Sequence, residues 1–177
     1  MLTLANRLTI LRILMTPVII VLLLYRQFGL ALTLFLVAAI TDGLDGFLAR
    51  SRKERTALGA VLDPVADKLL LMSAVVTLTI LKELPRWFAI IVVSRDVLLI
   101  GGSVILYMFL GKIAMPPSWL GKTTTGFQLA TVLAAMLDNF LPAFQVAIFP
   151  LTLLTLVLTA VSGVDYIIQG TRLLNDQ

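Results

Sequence analysis

The polar residues of this chain fall into short clusters that divide long apolar blocks. Six blocks, at 8–27, 28–50, 57–81, 87–111, 122–141 and 143–168, are each long enough to cross a bilayer as a helix, which takes about 20 mostly apolar residues. The breaks fall at Tyr25-Arg26-Gln27, the run Arg50 to Arg55, Lys82-Glu83-Leu84-Pro85-Arg86, Lys112 through Pro116-Pro117, and Leu141-Pro142. Backbone in lipid has no water to bond to, so spanning segments of this kind must be helical. The pattern predicts an all-α fold: a polytopic membrane protein, a bundle of six transmembrane helices, with residues 1–177 in a single domain. Its narrowest break is the last, where a few residues around Pro142 separate two spans.

Composition points the same way. Of 177 residues, 59% are hydrophobic and 14% charged, with mean hydropathy +1.03. A soluble domain must present a more polar surface to water. Basic residues then set the orientation. With the N-terminus inside, the cytoplasmic stretches hold Arg7, Arg12, Arg50, Arg52, Lys53, Arg55, Lys112, Lys122 and Arg172, against Arg26, Lys82 and Arg86 on the other side. Both termini are expected in the cytoplasm. The bilayer is the expected partner, with no nucleic acid. Arg7 and Arg12 before Ile13–Leu24 have the outline of a signal peptide, but Pro17 interrupts the segment and no small-x-small cleavage site follows. The segment is expected to remain as the first span. No repeated halves and no low-complexity stretch are visible.

Two absences restrict the chemistry. With no cysteine there is no disulfide, zinc–thiolate site or thiol nucleophile; with no histidine, acid–base work falls to Asp, Glu, Lys or Tyr. Any metal must be a hard cation held by oxygen. Serine–histidine hydrolases and HExxH metalloproteases are thereby excluded.

The informative stretch runs from Thr41 to Lys68 and carries Asp42, Asp45, Asp63 and Asp67. Carboxylates within membrane spans are costly and by default mark function. Asp42 and Asp45 are spaced to share one helix face near the cytoplasmic end of the second span, and Asp63 and Asp67 share one near the start of the third. The basic loop between makes these helices antiparallel neighbours. At about 1.5 Å per residue, Asp42 lies roughly 12 Å below Arg50, with Asp67 at a comparable depth. Gly46, Ala49 and Gly59 leave room beside the acids for phosphates to approach the backbone. Four carboxylates at one level repel unless cations sit among them. Aspartate-only coordination favours magnesium, manganese or calcium, and two such ions about 3.5–4 Å apart would form a clamp on a diphosphate undergoing in-line displacement. A plainer role is open to single members: Asp63 before Pro64 has the form of a helix N-cap. Arg52, Lys53 and Arg55 read as interface anchors, and Arg50 as part of the site.

The run Asp42-x2-Asp45-Gly46-x2-Ala49-Arg50-x8-Gly59-x3-Asp63-x3-Asp67 resembles the signature of the CDP-alcohol phosphatidyltransferases at every position, spacer included. The six spans of that family would cover nearly the whole chain. The resemblance implies that Asp42, Asp45, Asp63 and Asp67 bind two divalent cations, Mg2+ or Mn2+, and that Asp67 also deprotonates the acceptor hydroxyl. It implies that Gly46, Ala49, Arg50 and Gly59 surround the CDP moiety of CDP-diacylglycerol, and that the protein forms a homodimer. The implied setting is a bacterial inner membrane with the site facing the cytoplasm.

Two further regions bear on the acceptor alcohol. Asn6-x2-Thr9-x2-Arg12 with Pro17 resembles the start of phosphatidylglycerophosphate synthases. Ser94-Arg95-Asp96 and Gly121-Lys122-x2-Thr125-x2-Gln128 resemble elements of those enzymes and of CMP-forming cardiolipin synthases. Arg95, Lys122 and Arg12 are the candidates to bind an acceptor phosphate. The alternative is that Arg95 pairs with a neighbouring acid and Lys122 anchors an interface. Asp96 departs from the glutamate expected in the first group and resembles the second. Glycerol 3-phosphate is the first expectation for the acceptor, phosphatidylglycerol the second. A small cation or proton transporter could use the same four acids, but would place them nearer midplane and in repeated halves.

Overall fold

The structure, a computed structural model, describes the backbone over residues 4–52, 57–110 and 119–175, and side chains over 10–41, 68–102, 119–169 and 171. Six α-helices follow one another: α1 (Leu4–Leu24), α2 (Phe28–Arg52), α3 (Ala57–Ile80), α4 (Arg86–Leu110), α5 (Trp119–Leu137) and α6 (Gln145–Asn175). A short 3-10 turn, Pro142–Phe144, leads into α6. There is no strand among the described residues. Each helix matches one apolar block of the sequence. The narrow break near Pro142 does separate two helices, and α6 continues to Asn175, past the end of its apolar block.

Helices α1 to α3 make one compact unit, Met1–Glu83. Within it α1 packs on both α2 and α3. Among the described residues the buried positions are Arg12, Ile19 and Leu23 on α1, Phe28, Ala31, Phe35 and Ala38 on α2, and Leu70, Leu71, Ala74, Val75, Thr77 and Leu78 on α3. Steps of three and four residues give each helix one inward stripe. Pro17 lies within α1 and offers no N–H to the Ile13 carbonyl. One residue earlier, the Thr16 hydroxyl donates to the Arg12 carbonyl at 2.9 Å.

The ends of α1 and α3 close in the same way. Arg26 and Gln27 N–H donate to the Leu23 and Leu22 carbonyls, as Lys82 and Glu83 N–H do to those of Thr79 and Leu78. This is the Schellman pattern, which needs a left-handed residue: Arg26 has φ 59° and Lys82 φ 67°. Arg26 then reaches across, its Nη1 2.7 Å from Glu83 Oε1 and its guanidinium over the Phe28 ring. The C-terminal ends of α1 and α3 are thereby neighbours, so these helices run parallel and α2 runs antiparallel to both.

Helices α4 to α6 make the second unit, Leu84–Gln177, in which α6 packs on both α4 and α5. The Thr124 hydroxyl donates to the Leu158 carbonyl at 3.2 Å, and Thr131 and Thr155 hydroxyls meet at 3.0 Å, so α5 and α6 are antiparallel. Arg95 meets Ser162, and Tyr166 meets Leu99, so α4 and α6 are parallel. The buried row on α6 is Thr152, Thr155, Thr159 and Ser162, whereas Val146, Phe149, Val157 and Ile167 are exposed. Hydroxyls inside and aliphatics outside is the reverse of a water-soluble helix pair. The buried hydroxyls are satisfied locally: Thr152 donates to Phe149, Thr159 to Thr155, Thr124 to Leu120 and Thr131 to Phe127.

Among the described residues, one helix is by length and composition apolar enough to cross a membrane, over Pro142–Gln169. The stretches Ile10–Leu24, Phe28–Thr41 and Lys68–Ile80 are apolar but shorter.

Candidate active site

The four aspartates stand on the two helices that flank α1. Asp42 and Asp45 lie in α2, and Asp63 and Asp67 in α3. Their side chains, with those of Gly46, Ala49, Arg50 and Gly59, lie outside the described residues. Among the described residues no three His, Cys, Asp or Glu side chains gather as a metal site would require.

Helix register shows what α1 brings to this level. Arg26 sits beside Leu81 and Glu83, its Nη2 3.4 Å from the Leu81 carbonyl. Counting back from that contact, Arg12 and Lys68 are each about four turns, roughly 20 Å, down their parallel helices. Counting back from the Leu24–Phe28 turn brings Arg12 level with Thr41 on α2. Arg12 is 3% exposed. A buried guanidinium therefore occupies the level at which Asp42 follows Thr41 and Asp67 precedes Lys68. A fixed positive charge at that level is a favourable neighbour for a carboxylate.

The second unit holds the other two candidates, and treats them differently. Arg95 is 6% exposed and Asp96 0%. Arg95 Nη1 donates to Asp96 Oδ1 at 2.8 Å and Nη2 to Ser162 Oγ at 2.6 Å; Nε is buried with no hydrogen-bond partner. Neighbours in a helix do not ordinarily face each other, but the long arginine side chain reaches back to its successor. The pairing with an adjacent acid that the sequence left open is present. It does not use all five guanidinium donors. Lys122 is exposed, its ammonium 5.9 Å from the centroid of Trp119, a residue 83% exposed. That is the arrangement of an interfacial anchor.

The sequence did not single out Ser162, and it named Gln128 only as the last residue of the Gly121-Lys122-x2-Thr125-x2-Gln128 motif, with no role for its amide. Gln128 is fully buried on α5 between Thr124 and Thr131, and neither its oxygen nor its nitrogen has a hydrogen-bond partner. A signal for Ser162 existed: hydroxyls at 152, 155, 159 and 162 follow a helical spacing inside an otherwise apolar block.

The sequence profile of the CDP-alcohol phosphatidyltransferases matches residues 2–161, running through both units. The chain belongs to the CDP-alcohol phosphatidyltransferase family. Among its relatives, a Mycobacterium tuberculosis protein named a probable phosphatidylglycerophosphate synthase is 34% identical over 175 residues, covering 96% of this chain and 82% of the relative. An Aquifex aeolicus CDP-diacylglycerol–glycerol-3-phosphate 3-phosphatidyltransferase is 30% identical, with 96% of both chains covered. Human cardiolipin synthase (CMP-forming) is 32% identical over 96% of this phosphatidyltransferase and 62% of the human chain. The relatives thus carry both acceptor chemistries that the motifs of this family member resemble.

Proposed function

We propose that this phosphatidyltransferase moves the phosphatidyl group of CDP-diacylglycerol to glycerol 3-phosphate, forming phosphatidylglycerophosphate and releasing CMP. The observation that carries the reading is the full signature from Asp42 to Asp67, set in a chain matched from end to end by relatives of that name. Asp42, Asp45, Asp63 and Asp67 offer only hard oxygen donors, a set that fits two Mg2+ or Mn2+ ions. When bound, such ions neutralise charge on the diphosphate and stabilise departing CMP. Asp67 takes the proton of the acceptor hydroxyl, whose oxygen attacks the phosphorus bearing diacylglycerol as the bond to CMP breaks. Gly46, Ala49, Arg50 and Gly59 line the CDP moiety. Arg95 is the first candidate for the acceptor phosphate, through the donors that Asp96 and Ser162 leave; Arg12 and Lys122 are the others.

The protein sits in a bacterial inner membrane as six spans, with termini and site at the cytoplasmic side, and pairs as a homodimer. Exposed aliphatic faces around buried hydroxyls and charges support the bilayer setting. Lipid tails stay in the membrane while CMP leaves to water.

A second reading takes phosphatidylglycerol as acceptor and makes cardiolipin. Asp96 favours it, since a buried carboxylate beside Arg95 compensates the charge a dianionic phosphate would seek. The deciding assay offers CDP-diacylglycerol with a panel of alcohols and follows CMP. Release with glycerol 3-phosphate supports the first reading; release with phosphatidylglycerol alone replaces it with the second.

A further inference from the structure

We propose that Ser162, on α6, is a positioning residue for acceptor binding: it fixes the Arg95 guanidinium in the orientation in which that group takes the acceptor's phosphate. The proposal rests on the reading of Arg95 as the phosphate ligand given above. The guanidinium is planar, and the structure holds it at two atoms: Nη1 on Asp96 at 2.8 Å and Nη2 on Ser162 at 2.6 Å. Two anchors fix both its position and its rotation. What remains is the side bearing Nε, buried and without a hydrogen-bond partner, together with the second N–H of Nη2. Nε–H and the Nη2 hydrogen on its side are the pair with which a guanidinium captures two phosphate oxygens.

Asp96 alone cannot set this direction. It adjoins Arg95 on α4, and a guanidinium held only at Nη1 swings about that one contact. Ser162 belongs to a different helix and removes the swing. The arginine stem lies against α6 at the neighbouring Gly163, where an added Cβ would make an ordinary van der Waals contact with Arg95 Cγ, at 3.9 Å. One turn on, the Tyr166 hydroxyl donates to the Leu99 carbonyl at 3.1 Å and its ring lies against Gly102. Among the described residues these two side-chain hydrogen bonds follow one another along the α4–α6 contact, the first at Arg95 and the second at Leu99. The second is a built-in control for what loosening this helix pair does by itself.

The test uses the full chain with CDP-diacylglycerol, a divalent cation and glycerol 3-phosphate, and reads CMP release and thermal stability. Ser162→Thr and Ser162→Val have nearly the same shape and differ in the hydroxyl. Ser162→Val and Ser162→Ala are expected to raise KM for glycerol 3-phosphate about five- to tenfold, the size of an ordinary hydrogen bond's net contribution, since the lost contact acts on the phosphate only through Arg95. The KM for CDP-diacylglycerol should stay within about twofold, and Ser162→Thr should restore the wild-type value. Tyr166→Phe should lower the melting temperature without moving either KM. If Ser162→Val leaves KM for glycerol 3-phosphate unchanged while Arg95→Ala raises it, the positioning role is refuted and the acceptor reading stands. If Tyr166→Phe and Ser162→Val raise KM alike, the effect is general loosening and the proposal is equally refuted. If Arg95→Ala changes nothing, the acceptor reading at Arg95 fails and takes the proposal with it.

Discussion

Replacing Arg95 by methionine removes one half of a buried ion pair and leaves the Asp96 carboxylate, itself fully buried, without its guanidinium. Breaking a buried pair from one side typically costs about 3–5 kcal/mol, because the surviving charge stays desolvated. In a chain of this size 1 kcal/mol corresponds to about 2–4 °C, so the melting temperature should fall by roughly 6–20 °C. Removing both charges, in Arg95→Met with Asp96→Leu, deletes the desolvation cost together with the attraction. Such a replacement is often neutral or stabilising by about 1–4 kcal/mol. The double variant should therefore melt near or above the wild type in the same detergent. Activity should not follow stability: both variants lack the guanidinium, so both should need more than about tenfold higher glycerol 3-phosphate for half-maximal CMP release, the usual cost of a lost charged contact. A double variant as unstable as the single would refute the account of the pair. A double variant that is stable and turns over glycerol 3-phosphate normally would refute Arg95 as the phosphate ligand.

Three further outcomes are expected. Chelation should abolish CMP release and magnesium or manganese restore it, with Asp42→Asn, Asp45→Asn and Asp63→Asn each losing most activity while still inserting; turnover in excess chelator would remove the two-metal mechanism. Gln128→Leu should raise stability by about 1–3 kcal/mol, since a buried amide with no partner costs about that much; a lower melting temperature would mean that the amide is satisfied in the native protein. Lys82→Gly should stabilise the end of α3 by about 1 kcal/mol, because Lys82 holds a left-handed φ that glycine adopts freely; a destabilised variant would show that the lysine side chain outweighs the backbone strain.

The helices and the acidic signature were legible in the sequence because both depend on short-range order. Apolar block length sets where helices form, so the bounds of α2, α3 and α4 agree with the blocks at 28–50, 57–81 and 87–111 to within a few residues. The signature is a spacing along two consecutive helices, so it can be read without knowing what they touch. Arg26 and Lys82 ended α1 and α3 in a way composition concealed, since a Schellman turn is usually signalled by glycine.

What only the tertiary structure decided is which partner each polar group met. Arg95 and Lys122, with Arg12 a third, entered as candidates for one phosphate, and packing gave each its own surroundings: one paired with Asp96 and Ser162, one lying over Trp119, and one buried in α1 level with Thr41 and Lys68. Ser162 lies 67 residues from Arg95, and no local pattern links positions that far apart. The sequence by itself determined that this chain carries six helices and a four-aspartate signature, since helix propensity and motif spacing are local. The partners of its cations depended on which faces α1 and α6 turn toward their neighbours, and helix faces are chosen by packing.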